Sequence, residues 1–278
     1  MPLTTLTRPT ARPTIARPKK QFIIETWDGR KTGEKIILYG ESGMGKSTLA
    51  SLAPNPVFIG LDDGGRKLRH PVTGELLRHI PGVEDFDDVR TALNACLTLD
   101  CETVVVDTIT LLEYLAEQWT LVHVSASHGG TQVKAVNMES YGYNKGYKHL
   151  YDVMRLPLLD CDKLVVAGKN VILIAQGTNN KIANPAGLDY LCDGPRLYNG
   201  KPSVLSLYCE WADHILRLAY QLVTADKGKK ATGDTTRVVY TKPEVYFMAK
   251  SRTVDVNPVS FNTKSDDSIW KFAFKKGE

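Results

Sequence analysis

Gly40-Glu41-Ser42-Gly43-Met44-Gly45-Lys46-Ser47 is the stretch that decides how the rest of the chain reads. It satisfies G-x-x-x-x-G-K-[ST] in full, between the apolar run Ile36-Ile37-Leu38-Tyr39 and a helical pattern that begins near Gly45. The spacing has a physical reason. Glycines let a turn wrap so that successive backbone N–H groups point inward, and the helix that follows adds the partial positive charge of its N-terminus. Such a cradle suits phosphate oxygens. Lys46 then reaches the β- and γ-phosphates of a nucleotide, and the Ser47 hydroxyl is placed to hold Mg2+. Gly40, Glu41, Ser42, Gly43, Met44, Gly45, Lys46, Ser47 and Thr48 are therefore the candidate nucleotide-binding residues, with a nucleoside triphosphate and Mg2+ as the expected ligands and no base-reading motif to choose adenine over guanine.

Working outward, three more apolar runs end in polar residues. Val57-Phe58-Ile59 leads to Asp62-Asp63-Gly64-Gly65, Val104-Val105-Val106 to Asp107, and Val171-Ile172-Leu173-Ile174-Ala175 to Gln176. Between them lie helical patterns: one over residues 86–99 with Asp85 as its cap, one over 109–123, and one over 145–156 that Pro157 interrupts. Fully apolar strands alternating with helices predict an α/β fold, a mostly parallel sheet covered by helices on both faces. Ligands on such sheets bind beyond the carboxyl ends of the strands, so the strand-end residues surround the cradle.

Asp107 taken alone reads as a cap for the next helix; beside the cradle it reads as a partner of Ser47 in ordering a metal ion. Asp62 and Asp63 are the candidates for orienting an attacking water, and strand alternation lets only one of them face the γ-phosphate. A plain Asp-Asp-Gly-Gly turn is the competing reading. Gln176 can hydrogen-bond the γ-phosphate or be a strand-end amide satisfied by backbone. The carboxy-terminal third predicts strands over 237–241 and 244–249, turning at Lys242-Pro243 after a polar loop over 226–234.

Composition bounds the remaining possibilities. The 278 residues hold 42% hydrophobic and 24% charged residues, ordinary globular usage for one large domain or two small ones. No apolar run approaches the ~18 residues of a membrane span. The scattered Cys96, Cys101, Cys161, Cys192 and Cys209 contain no C-x-x-C pair, which argues against a disulfide scaffold or zinc knuckle and fits a reducing cytoplasm. The six histidines have no metal-site spacing. With 35 basic against 31 acidic residues, the net charge of +4 does not announce a nucleic-acid binder, so such a partner must meet local patches. One patch is residues 1–21: Arg8, Arg12, Arg17, Lys19 and Lys20, no acid, and enough proline to oppose a helix. This arm, a core over 22–255 and a tail over 256–278 make the expected domain plan.

In this order (cradle, acid at the next strand end, Val-Val-Val-Asp, strand ending in Gln) the chain resembles the RecA-type P-loop ATPase core. Four further segments resemble phage-encoded RecA-like ATP-binding proteins linked to single-strand annealing: Tyr141-Gly142-Tyr143-Asn144-Lys145-Gly146-Tyr147, Asn184-Pro185-Ala186-Gly187, Glu210-Trp211-Ala212-Asp213 and Ala249-Lys250-Ser251-Arg252. The likeness spans roughly residues 35–252, and the cradle is its most specific part.

The resemblance implies several roles. An aspartate, Asp62 or Asp63, stands where the family has a catalytic glutamate, one methylene short. Gln176 becomes a nucleotide sensor at the root of a DNA-binding loop over 177–203, with Lys181, Tyr190, Arg196, Tyr198 and Lys201 contacting single-stranded DNA; cations interleaved with aromatics suit that partner. A first loop over 125–137, containing His128 and Lys134, flanks it. Lys250 and Arg252, alternating on one strand, reach the ATP of an adjacent subunit, which implies self-association as a filament or ring. The implied function is an ATP- and Mg2+-dependent ATPase that promotes strand annealing or recombination in the host cytoplasm. The alternatives are a nucleotide-gated accessory of a phage annealing or replication protein with little hydrolysis, and a helicase or helicase loader.

Overall fold

The computed structural model describes residues 23–24, 32–128, 131–184, 186–221 and 236–274. The basic arm and the polar loop over 226–234 lie outside the described residues. Strand β1 (Lys35–Gly40) leads through the glycine turn into α1 (Lys46–Ser51), followed by β2 (Pro56–Gly60), α2 (Phe86–Ala95), β3 (Thr103–Asp107) and α3 (Ile109–His123). A small hairpin, β4 (Ala126–His128) and β5 (Thr131–Val133), precedes α4 (Lys145–Val166), β6 (Asn170–Ile182) and β7 (Tyr190–Pro195). The chain ends with α5 (Val204–Trp211), β8 (His214–Tyr220), β9 (Arg237–Tyr240), β10 (Val259–Ser260) and α6 (Ser268–Ala273).

The main sheet has the order β10-β9-β8-β1-β6-β3-β2, with β7 paired to the distal half of β6. Strands β8, β1, β6, β3 and β2 are parallel, whereas β9, β10 and β7 are antiparallel additions. Strand alternation divides the core into two layers. Ile37, Tyr39, Val104, Val106, Val171 and Leu173 pack toward α2, α3, α4 and α5. Ile36, Leu38, Val105, Ile172 and Ile174 pack toward α1 and α6 on the other face. Fully apolar strands are what a sheet covered twice requires, and this is the α/β architecture, a mostly parallel sheet with helices on both faces, that the sequence predicts.

Three expectations change. Helix α4 does not stop at Pro157 but runs through it to Val166. Proline removes one helical hydrogen bond, yet the apolar face continues on both sides: Met154, Pro157, Leu158, Cys161 and Leu164 are all buried, and that burial outweighs the lost bond. The strand expected over 244–249 does not form. That segment turns on itself between Glu244 and Phe247 and meets β7 and β8 only through single bridges at Asp193 and Ile215. Phe247 is buried beneath the Arg217 guanidinium, 4.6 Å from its ring, so packing and not a ladder holds it. Finally, the segment after residue 256 packs on the cradle helix. Phe261, Ile269 and Trp270 are buried in the α1 layer, and the Trp270 indole N–H donates to the Leu49 carbonyl at 2.7 Å.

Truncating Trp270 leaves a large void against α1 and removes one of the two hydrogen bonds that the Leu49 carbonyl accepts, leaving that from the Leu52 N–H. Trp270→Ala is therefore expected to cost about 3–5 kcal/mol, read as a lower urea midpoint with an unchanged m-value.

Candidate functional site

The register of β1 against β6 sets Gly40 beside Gln176, and that of β2 against β3 sets Gly60 beside Asp107. Strand ends therefore deliver the cradle, the acid and the amide to one place. Gly43 (φ 80°) and Gly45 (φ 97°) take left-handed conformations that other residues rarely adopt, and Gly45 is the N-cap of α1.

Lys46 is buried, and its ammonium donates to the Gly40 carbonyl (2.9 Å), the Glu41 carbonyl (2.8 Å) and Gln176 Oε1 (3.1 Å). Burial pushes this ammonium below the ordinary lysine range, against the attraction of Asp107 and Glu41. The Ser47 hydroxyl donates to Asp107 Oδ2 at 2.5 Å. Burial raises the Asp107 carboxyl above the ordinary aspartate range; the Ser47 bond opposes this and the charge of Asp62 adds to it. A buried carboxylate beside a hydroxyl is a hard oxygen set that a divalent cation would stabilise, so Ser47 and Asp107 fit Mg2+.

A cavity of ≈ 370 Å³ opens over these groups, lined by the turn, Asp62, Asp107 and Gln176 and, from the carboxy-terminal segment, by Arg237 and Lys264. Asp62 and Asp63 do not alternate along a strand, because β2 ends at Gly60 and Asp63 opens a short 3-10 turn, Asp63–Gly65. Asp62 lines the cavity, and one of its carboxylate oxygens accepts the Gly64 N–H at 2.8 Å, as the plain-turn reading expects.

The segment expected as a loop over 177–203 is largely a hairpin. β6 continues past Gln176 and pairs antiparallel with β7, from Gly177 opposite Pro195 to Ile182 opposite Tyr190. Its base is braced twice: the Gln176 carbonyl accepts the Arg196 N–H (2.7 Å), and Arg217 pairs with Asp193 (2.7 Å). Among the residues suggested for DNA contact, Arg196 and Lys201 are exposed, Tyr190 is partly exposed and Lys181 pairs with Asp189 at 2.8 Å. Tyr198 instead stacks on Tyr147, ring centroids 4.2 Å apart and 4° from parallel, and its N–H donates to Glu113. In the first loop Lys134 is exposed, while the side chain of His128 lies outside the described residues.

Lys250 and Arg252 do not share a strand, since only an isolated bridge joins Lys250 to Ile215. The Lys250 ammonium donates to the carbonyls of Cys209 and Ala212 at the end of α5, where a cation complements the helix dipole. Arg252 is 63% exposed and pairs with Asp213 at 3.3 Å. Among the described residues no group of three or more histidine, cysteine or acidic side chains could hold a further metal ion, and no helix is long and apolar enough to cross a membrane.

Sequence reasoning missed Arg237 and Lys264, which carry no local motif and come near the cradle only through β9 and β10. It also missed Thr110 and Glu113. Thr110 Oγ1 accepts the Gln176 N–H and donates to the Arg196 carbonyl, each at 3.1 Å, so α3 clasps the hairpin base.

Residues 32–253 match the family described as the AAA domain. No curated protein matches the chain. Among solved structures, the fold is similar to a KaiC-like protein of the hyperthermophilic archaeon Pyrococcus horikoshii OT3, at 14% identity and a TM-score of 0.43, covering 83% of this chain and 90% of that one. It is also similar to the RadB recombinase, at 16% identity and a TM-score of 0.39, covering 76% and 80%.

Burial pushes the Glu113 carboxyl from 4.5 up to about 7, partly offset by the Tyr198 N–H and Arg196, with Glu117 adding repulsion. The fold thus favours the neutral acid, and raising the pH through this window ionises Glu113 at the expense of stability. In Glu113→Gln, whose amide oxygen still accepts from Tyr198, melting temperature should fall less between about pH 4.5 and pH 7 than in the unmodified chain. Parallel melting curves against pH would refute this.

Proposed function

This chain belongs to the AAA-domain family, and from that premise we propose that it is an ATP- and Mg2+-dependent, RecA-like ATPase that binds single-stranded DNA and promotes strand annealing. The observation that carries the reading is the sharing of one ammonium. Lys46 donates to Gln176 Oε1, and Gln176 holds the base of the β6–β7 hairpin through its own backbone.

A triphosphate entering the cradle meets inward-pointing amides and a partly desolvated cation. Lys46 exchanges its carbonyl and amide acceptors for phosphate oxygens, which are charged and bind it more strongly. Gln176 then turns to the γ-phosphate, and the hairpin it anchors adjusts for DNA. Arg196 and Lys201 track the backbone, and Tyr190 offers a ring to a base. Ser47 and Asp107 would hold Mg2+, which would supply positive charge against the phosphates. In hydrolysis a water activated by Asp62 attacks the γ-phosphorus; its proton passes to the carboxylate as the bond to the β–γ bridging oxygen breaks. Arg252, exposed beside Asp213 at the amino end of β8, is the cation suited to reach a neighbouring subunit's nucleotide, whereas Lys250 serves its own helix.

One observation favours a second reading, a nucleotide-gated accessory of an annealing or replication partner. Asp62 is a methylene shorter than glutamate and already accepts the Gly64 N–H, which limits its reach to water.

The test is ATP turnover with and without single-stranded DNA, alongside fluorescence anisotropy of a labelled oligonucleotide. Turnover is expected to rise with DNA, and Lys46→Ala to lower it about a hundredfold. ATP-dependent DNA binding without turnover selects the accessory reading. Absence of both turnover and DNA binding contradicts the proposal.

A further inference from the structure

The charged side chains around the cavity do not balance for a polyanion if only the cradle and strand ends are counted. They supply one cation, Lys46, against two carboxylates, Asp62 and Asp107. The lining becomes net positive through Arg237 and Lys264, which the carboxy-terminal segment supplies.

Arg237 is pre-positioned there by two contacts. Its guanidinium lies over the Phe261 ring at 4.6 Å, and Phe261 is completely buried. Its Nη1 donates to the Met44 carbonyl at 3.0 Å, inside the cradle sequence itself. A Cβ built on Gly45 would stand 2.7 Å from that Nη1, so glycine at this position admits the guanidinium as well as the left-handed turn. The Phe261 N–H donates to the Arg237 carbonyl at 2.9 Å, which fixes the approach of the segment bearing Lys264, and Trp270 fastens that segment to α1.

We infer that Arg237 and Lys264 bind the phosphate tail of the nucleotide in cis, as a second wall of the site that the family motif does not contain. This rests on the nucleotide-site reading above. A stacked guanidinium loses little rotamer freedom on binding, presents several N–H donors in a fixed fork, and remains charged at any physiological pH. Arg237 lies against Met44 and Gly45, on the flank of the turn away from the strand ends that carry Asp107 and Gln176. Its contacts therefore fall on the α- and β-phosphates, which ATP and ADP share.

Isothermal titration with MgATP and with MgADP separates the possibilities, using the unmodified chain, Lys46→Ala, Arg237→Gln and Lys264→Gln. Each glutamine variant should bind both nucleotides about tenfold more weakly, the effect of one charge-assisted hydrogen bond. Circular-dichroism melting of the nucleotide-free proteins reports whether the fold is kept. Should Arg237→Gln unfold, Lys264→Gln, altered at an exposed side chain, decides the matter alone. Binding within twofold of the unmodified chain in the folded glutamine variants, with Lys46→Ala unable to bind, overturns the second wall and leaves the cradle intact. Loss confined to ATP overturns the α/β placement. If the unmodified chain binds neither nucleotide, the nucleotide-site reading itself fails.

Discussion

The ammonium of Lys46 is the group on which the site depends. It sits 6% exposed at the start of a six-residue helix, and burial disfavours its charge. Three oxygens compensate, two from the turn and one from the neighbouring strand. All three acceptors are neutral carbonyl or amide oxygens, which bind an ammonium less strongly than a charged oxygen does. One register, Gly40 opposite Gln176, places the third oxygen within reach. The same residue's backbone meets Arg196 and Thr110, so the cation and the hairpin base are two bonds apart in a single network.

Around this centre the fold is braced unequally. Behind the hairpin, the Tyr39 hydroxyl donates to the Met248 and Asp193 carbonyls, and Arg217 joins Asp193 across to β8. The α1 face is closed by the carboxy-terminal segment, whose buried Phe261 and Trp270 hold it on the cradle helix. Toward the tip of the hairpin Leu188 and Leu191 are exposed, and Lys181 and Asp189 pair across it.

Much of this was legible in the sequence because it is local. The cradle spacing, the four apolar strands and the Asp85 cap, whose carboxylate accepts the Asp88 N–H, each depend on residues close together in the chain. What could not be read is long-range. Nothing near Arg237 in sequence says that it will donate to Met44, 193 residues earlier. Lys250 and Arg252 look like an alternating pair until the end of α5 claims the first of them. Tyr198 reads as a base-stacking ring until Tyr147 is seen to cover it. Pro157 reads as a helix stop only when the buried face on either side of it is ignored.

A crystal structure with Mg2+ and a non-hydrolysable ATP analogue tests the central claim most directly. The account predicts phosphates enclosed by the amides of residues 42–48, with the Lys46 ammonium moved from the Gly40 and Glu41 carbonyls and Gln176 onto phosphate oxygen. A cradle left empty at saturating analogue, or phosphates bound while Lys46 keeps all three of its present acceptors, would contradict it.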